Sequence, residues 1–304
     1  MVNNIVPPVQ IRSEVKPYLL ITLLVAIVTS CAKPAVDNSG RPEVSVSIPV
    51  AAYFAQRLSC GAVDVNVLVP QAAGHTDYSP RPSQMMALAR SQAYLAIGAL
   101  DFEIVWRERM QDAAPQMLWV DLSAGTRKIG GHCGHGHAEE AHEAVDPHYW
   151  LSPRQAKVMA RNMAQAIVNI IPEHRNEVGE ALDSLLRDID SYDRQLDAIA
   201  RMRPDTMSFM IYHPALTYVA GDYGMRQYEI ERDGNAPSPQ SYMADQAAAR
   251  AAGVRVVFVQ KGYDVDKARA AAEAIGAQVV EFAPEGYDYD ETMNLIISTL
   301  REWR

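Results

Sequence analysis

No stretch of this 304-residue chain supplies the roughly 20 consecutive apolar residues that a membrane-spanning helix takes, and the run from Tyr18 to Ser30 falls short of it. A retained anchor helix is therefore not expected. Basic residues are scarce too: 28 Lys and Arg stand against 37 Asp and Glu, a formal net charge of −9. Nucleic-acid binders usually cluster Lys and Arg on one face, so that class of partner is excluded. The sequence has no His-Glu-x-x-His, the helical signature of zinc peptidases, and no carboxylate stands out as a general base. Cysteine is rare, at Cys31, Cys60 and Cys133. Cys60 and Cys133 leave three readings open: a disulfide, two unpaired thiols, or a metal contact at Cys133. What is present is 48% hydrophobic residues, over a length that can bury a sizeable core and build two compact domains.

The N-terminus carries an address. Lys16 precedes the apolar run and Cys31 follows it directly, which is the order of a signal peptide. Val28-Thr-Ser-Cys31 also resembles the bacterial lipoprotein box, whose cysteine sulfur receives diacylglycerol. Residues 1–30 are expected to be a lipoprotein signal peptide, with Cys31 the lipid attachment point. Residues 31–42, which include Lys33-Pro34 and Asn38-Ser-Gly-Arg-Pro42, read as a polar tether.

Beyond the tether, strand and helix patterns alternate. Val44–Ile48, Val63–Val69, Ala93–Gly98 and Met117–Asp121 read as strands, with helical stretches at Ala51–Leu58, Met85–Ser91 and Phe102–Met110. A helix after Ser152-Pro153 is interrupted at Ile171-Pro172, because proline pushes the preceding residue out of the helical region. From Glu173 to about Arg201, Val178, Leu182, Leu185, Leu186, Ile189, Tyr192, Leu196 and Ile199 recur at the spacing of one helix face. Such a rod spans roughly 40 Å. Strand patterns resume at Thr206–Tyr212, Tyr228–Glu231, Val254–Val259 and Gln278–Phe282. The expectation is an α/β fold of two lobes, residues 43–172 and 204–304, joined by one long helix over 173–203. Ligands in such folds favour domain interfaces and the carboxyl ends of strands.

The chemistry concentrates in histidine. Gly130-Gly-His-Cys-Gly-His-Gly-His-Ala-Glu-Glu-Ala-His142 holds His132, His135, His137 and His142, half of the eight in the chain. Imidazole suits Zn²⁺, Cu²⁺ or Ni²⁺, and the glycines cannot hold a fixed coordination geometry, so the tract reads as an auxiliary metal collector. Three further histidines fall in loops: His75 in Pro70-Gln-Ala-Ala-Gly-His75, His148 in Asp146-Pro-His-Tyr-Trp-Leu-Ser-Pro153 and His213 in Ile211-Tyr-His-Pro214. Beside the tract they form a candidate metal site. His174, near a helix start, reads as a surface residue.

From Val44 to Trp303 the chain resembles the substrate-binding proteins of zinc and manganese ABC importers, most of all the zinc-binding members. The resemblance is carried by Tyr78-Ser-Pro-Arg-Pro-Ser83, Asp146-Pro-His-Tyr-Trp-Leu-Ser-Pro153, Ile211-Tyr-His-Pro-Ala-Leu-Thr-Tyr218, Ala220-Gly-Asp-Tyr-Gly-Met225 and Ala236-Pro-Ser-Pro239, in that order. It implies two lobes, each a small parallel sheet flanked by helices, joined by a rigid helix with the metal between them. Position by position, it makes His148 and His213 metal ligands, one from each lobe, and His75 another. Two residues, Thr76 and Asp77, separate His75 from Tyr78 where the family usually has one, so Asp77 is the alternative to His75. The family's carboxylate position holds Ala283, leaving water, Glu285 or a tract histidine to complete the shell. Three imidazoles without a firm carboxylate suit Zn²⁺ better than Mn²⁺. The resemblance further implies a monomeric, periplasm-facing receptor delivering Zn²⁺ to an ABC-type permease in the inner membrane. The alternatives are a receptor for manganese or another divalent metal, a metal-scavenging or adhesin lipoprotein, and a zinc metallohydrolase.

Overall fold

The computed structural model describes residues 40–71, 78–130, 145–202, 207–231 and 238–302. Cys31, His75, Asp77, His132, Cys133, His135, His137 and His142 lie outside the described residues, as do the expected signal peptide and most of the tether. The first lobe contains β1 (Glu43–Val46), α1 (Pro49–Ser59), β2 (Asp64–Val67), α2 (Pro82–Leu88), β3 (Ala93–Ala96), α3 (Asp101–Ala113) and β4 (Leu118–Asp121). A 3-10 turn, His148–Leu151, and α4 (Pro153–Ile170) follow. After a second 3-10 turn at Pro172–His174, α5 (Arg175–Met202) runs for 28 residues, about 40 Å. The second lobe holds β5 (Ser208–Ile211), α6 (Thr217–Tyr223), β6 (Arg226–Glu229), α7 (Pro239–Ala251), β7 (Val256–Gln260), α8 (Val265–Ile275), β8 (Gln278–Phe282) and α9 (Tyr289–Glu302).

Each lobe has a four-stranded, all-parallel sheet, and the two orders match: β2-β1-β3-β4 and β6-β5-β7-β8. Two parallel sheets flanked by helices and linked by a long helix are the α/β class that the sequence patterns and the resemblance imply. In such an order the chain reverses direction across the sheet between β1 and β3, and between β5 and β7. The loops at the carboxyl ends diverge there and leave a crevice.

Packing explains why the strands read as apolar runs. Parallel sheets are covered on both faces, and every residue of β7 is buried. Along β5 and β7, Phe209, Ile211, Val256 and Phe258 face one hydrophobic cluster, while Met210, Tyr212, Val257 and Val259 face another. The first cluster is continuous through the molecule. It runs from Val44 and Phe54 in the first lobe, through Leu185, Ile189 and Leu196 of α5, to Phe258, Phe282 and Met293 in the second. The lobes thus share one core across the linking helix. Among the described residues no helix is long and apolar enough to cross a membrane. Cys60 is an exposed free thiol at the left-handed end of α1, with φ of 51°.

Candidate metal site

His148 is placed by its neighbours in sequence. Asp146 folds back so that its Oδ1 accepts from the His148 backbone N–H at 2.8 Å, a local turn that aspartate favours. Prolines at 147 and 153 bound the segment, and Tyr149, Trp150 and Leu151 anchor the turn in the core. The same Asp146 Oδ1 lies 2.8 Å from His148 Nδ1, and both residues are buried. Burial pushes the Asp146 carboxyl up, but the His148 charge and hydrogen bonds from His148 and Thr217 outweigh it and hold the group below the usual carboxylate range. An ionised carboxylate only accepts, so Nδ1 carries a proton, which leaves Nε2 as the candidate nitrogen for a metal. A carboxylate behind a ligating histidine is a common way to fix its tautomer and orientation.

His213 comes from the other lobe, two residues past the end of β5 and therefore at the crevice. Gln260, the last residue of β7, donates from Nε2 to the His213 carbonyl at 2.7 Å, and its Oε1 accepts from the His213 N–H at 3.4 Å. This exchange fixes the His213 backbone across the β5–β7 pair. The Tyr263 ring lies 5.7 Å from the imidazole.

The two histidines meet. Their ring centres are 5.4 Å apart and nearly perpendicular, at 71°. Two imidazoles on one tetrahedral zinc, with Zn–N of about 2.0–2.1 Å, place their ring centres about 5 Å apart. The observed separation fits a shared ion. Trp150 packs against His148 at 5.4 Å and donates from Nε1 to the Pro284 carbonyl at 2.8 Å, tying the first lobe's turn to the loop after β8. Within that loop, Glu285 is held through its carbonyl by the Val50 N–H at 3.1 Å. Burial pushes the Glu285 carboxyl up to about 7, against the pull of His148. The turn is close-packed: a Cβ on Gly286 would lie 3.0 Å from the Ala283 Cβ and 3.2 Å from Gln71 Nε2.

Of the sequence-derived ligands, the structure brings together His148 and His213. Among the described residues, no three His, Cys, Asp or Glu side chains form a group able to hold a metal by themselves. Glu285 feels His148 without completing such a group. The segment carrying His75 and Asp77 departs from Gln71, beside the Gly286 turn, and the tract departs from a bridge between Gly130 and Val145, three residues before His148. Reading the sequence for ligands passed over Asp146, Gln260 and Trp150. Asp146 had a signal, since an aspartate two residues before a loop histidine is spaced for a side-chain turn. Gln260 had none, because only the sheet order puts it beside His213.

The family model described as "Zinc-uptake complex component A periplasmic" (ZnuA) matches residues 44–303. The high-affinity zinc uptake system protein ZnuA of Bacillus subtilis is 24% identical over 272 residues, covering 84% of this chain and 82% of that protein. The zinc-binding protein AdcA of Streptococcus pyogenes is 25% identical over 185 residues, 54% of this chain and 34% of that longer protein. Among solved structures, a crystal structure of ZnuA superposes with a TM-score of 0.76 at 28% identity, covering 86% of this chain and 98% of that one. A manganese-bound periplasmic metal-binding protein from Candidatus Liberibacter asiaticus reaches 0.72 at 16% identity over 86% of this chain and all of that one, and shares the fold.

Proposed function

The chain belongs to the family of the periplasmic component A of zinc-uptake complexes, and from that premise we propose that it is the receptor that captures Zn²⁺ and delivers it to an ABC-type permease. The observation that carries this reading is the pair His148 and His213, one from each lobe, at the spacing two imidazoles take on one zinc ion. His75, or Asp77 in its place, supplies a further ligand from the segment that follows Gln71. The donor set favours zinc, since neutral imidazoles suit a borderline ion and manganese prefers oxygen-rich sites. Metal transport rather than catalysis fits the family, and Asp146 is committed to orienting His148 rather than poised as a base.

Residues 1–30 are a signal peptide, Cys31 carries the lipid, and 31–42 tether a monomeric receptor to a membrane on the periplasmic side. Residues 43–172 and 204–304 are the metal-binding lobes, with 173–203 between them. His132, His135, His137 and His142 collect metal weakly beside the principal site. Calorimetric titration of the metal-stripped soluble protein with Zn²⁺ and Mn²⁺ tests the reading, beside a His148→Ala, His213→Ala double variant. Tight, zinc-preferring binding that disappears in the double variant supports it. Tight binding that survives means the principal site lies elsewhere.

A further inference from the structure

One tyrosine hydroxyl ties the segments that carry the two histidines. Tyr218 lies five residues beyond His213, at the start of α6, and its side chain is fully buried. Its hydroxyl donates to the Asp146 carbonyl at 3.0 Å, a bond that crosses from the second lobe to the first. Asp146 is the residue that grips His148 through both its backbone N–H and its Nδ1. The same phenol oxygen accepts from the Ile129 N–H at 3.3 Å, and Asp146 N–H donates to the Ile129 carbonyl at 3.0 Å. Ile129, Asp146 and Tyr218 thus close a small ring of hydrogen bonds directly behind His148.

Neighbouring contacts hold the same joint. Thr217, next to Tyr218, donates its hydroxyl to the Pro214 carbonyl at 2.9 Å, beside His213, and helps to lower the Asp146 carboxyl. The Arg127 guanidinium pairs with Asp222 at 3.1 Å, and the lack of a side chain at Gly221 lets it lie there: a Cβ would come 2.6 Å from its Nη2. Asp222 also accepts from Ser152 at 2.5 Å and from Gln155 at 3.0 Å, both just beyond the His148 turn. Helix α6, which follows His213, is therefore locked onto the first-lobe segments on either side of His148, Arg127–Ile129 and Asp146 before it and Ser152 and Gln155 after it.

We propose that Tyr218 is a positioning residue for the metal site: its hydroxyl, bonded to Asp146, sets the distance between His148 and His213 before metal arrives. This deepens the zinc-receptor reading and rests on it. A preformed spacing raises affinity by reducing what must be ordered on binding, and it disfavours ions that need a wider or more oxygen-rich shell. Loss of outer partners of ligating residues typically costs 10–100-fold in metal affinity.

The test is Tyr218→Phe, which removes the hydroxyl and keeps the buried ring. Thr217→Val, which removes the neighbouring hydroxyl, asks the same question independently should the first variant melt early. Each is compared with the parent protein by thermal melting, Zn²⁺ and Mn²⁺ affinity, and the visible absorption of the Co²⁺-loaded site. A residue that only supports the fold would lower the melting temperature and leave the Co²⁺ bands of the folded protein in place. The proposal expects weaker zinc binding by about tenfold or more, a smaller zinc-over-manganese preference and shifted Co²⁺ bands in folded Tyr218→Phe. Unchanged affinity and bands in Tyr218→Phe and Thr217→Val, with binding lost in His148→Ala, His213→Ala, overturn the proposal and leave the receptor reading standing. Tight binding retained in the double-histidine variant overturns both, because no such pair is then being spaced.

Discussion

In the first lobe the proposed metal ligand, His148, sits on a buried turn with its ring gripped by Asp146. In the second, His213 sits partly exposed beyond a strand end, with its backbone fixed by Gln260. The sheets behind them have the same order and the same all-parallel pairing. Topology puts His213 just beyond the carboxyl end of β5, where the crevice opens, while local chemistry decides how each histidine is held. One lobe presents a candidate ligand whose tautomer and direction are set in advance. The other presents one positioned mainly through the main chain, against the Tyr263 ring.

If that contrast is real, removing the two ligands should not be equivalent. A zinc ion bound through several protein ligands owes each of them roughly 3 kcal/mol, about a hundredfold in affinity. His148→Ala should exceed that and His213→Ala should fall below it, as read by competition with a zinc chelator. Equal losses would erase the distinction between the lobes.

A sharper version keeps both ligands and removes their supports. Asp146→Asn takes away the carboxylate that holds Nδ1–H and should weaken zinc binding by about 10–100-fold. Gln260→Ala acts on the His213 backbone and should cost severalfold at most by the same titration. A larger effect from Gln260 than from Asp146 would reverse the assignment of the rigid side.

The first lobe also holds a second buried carboxyl with the opposite tendency. Burial pushes Glu103 up to about 7, although it accepts from the Ile97 and Gly98 N–H groups at 2.8 and 2.7 Å and from Ser47. Its folded-state pKa lies above the unfolded value of about 4.3, so the fold binds this proton more tightly than the open chain does. Stability from this group is full below about 4.3 and is lost as pH rises through about 7, by about 4 kcal/mol in all. Asp146 runs the other way: its pKa is depressed, so its contribution is present above the ordinary carboxylate range and is lost on acidification through it. Denaturant melts at pH 5 and pH 8 should show the parent losing more stability than Glu103→Gln across that interval. Parallel losses would mean that Glu103 stays ionised in the fold. The smallest effect expected is Arg127→Ala, because its guanidinium is half exposed and its partner Asp222 keeps its bonds from Ser152 and Gln155: about 0.5 kcal/mol in the melt.

The layered fold was legible in the sequence because parallel strands buried on both faces leave apolar runs, and because α5 repeats its core residues, Val178 to Ile199, at helical spacing over about six turns. Less legible was β6, expected at Tyr228–Glu231 and found at Arg226–Glu229. Gly224 ends α6 in the left-handed region at φ 65°, so the chain enters the sheet at once. Ile230 and Glu231 continue bonding to the Ile211 and Tyr212 carbonyls. At the site, His148 and His213 were visible as histidines in proline-bounded loops. Gln260, Trp150 and the Tyr218 hydroxyl were not, because each acts on a residue from another segment and only the folded arrangement brings them together.

The shared core across α5 implies that the lobes move little when metal binds, which is why the spacing between His148 and His213 matters before loading. The most direct test is a crystal structure of the zinc-loaded protein with anomalous scattering recorded at the zinc edge. The account expects a single strong peak bonded to His148 Nε2 and a His213 ring nitrogen, with the ring centres still near 5.4 Å apart. A strong peak confined to the histidine tract, with His148 and His213 unligated, would contradict it.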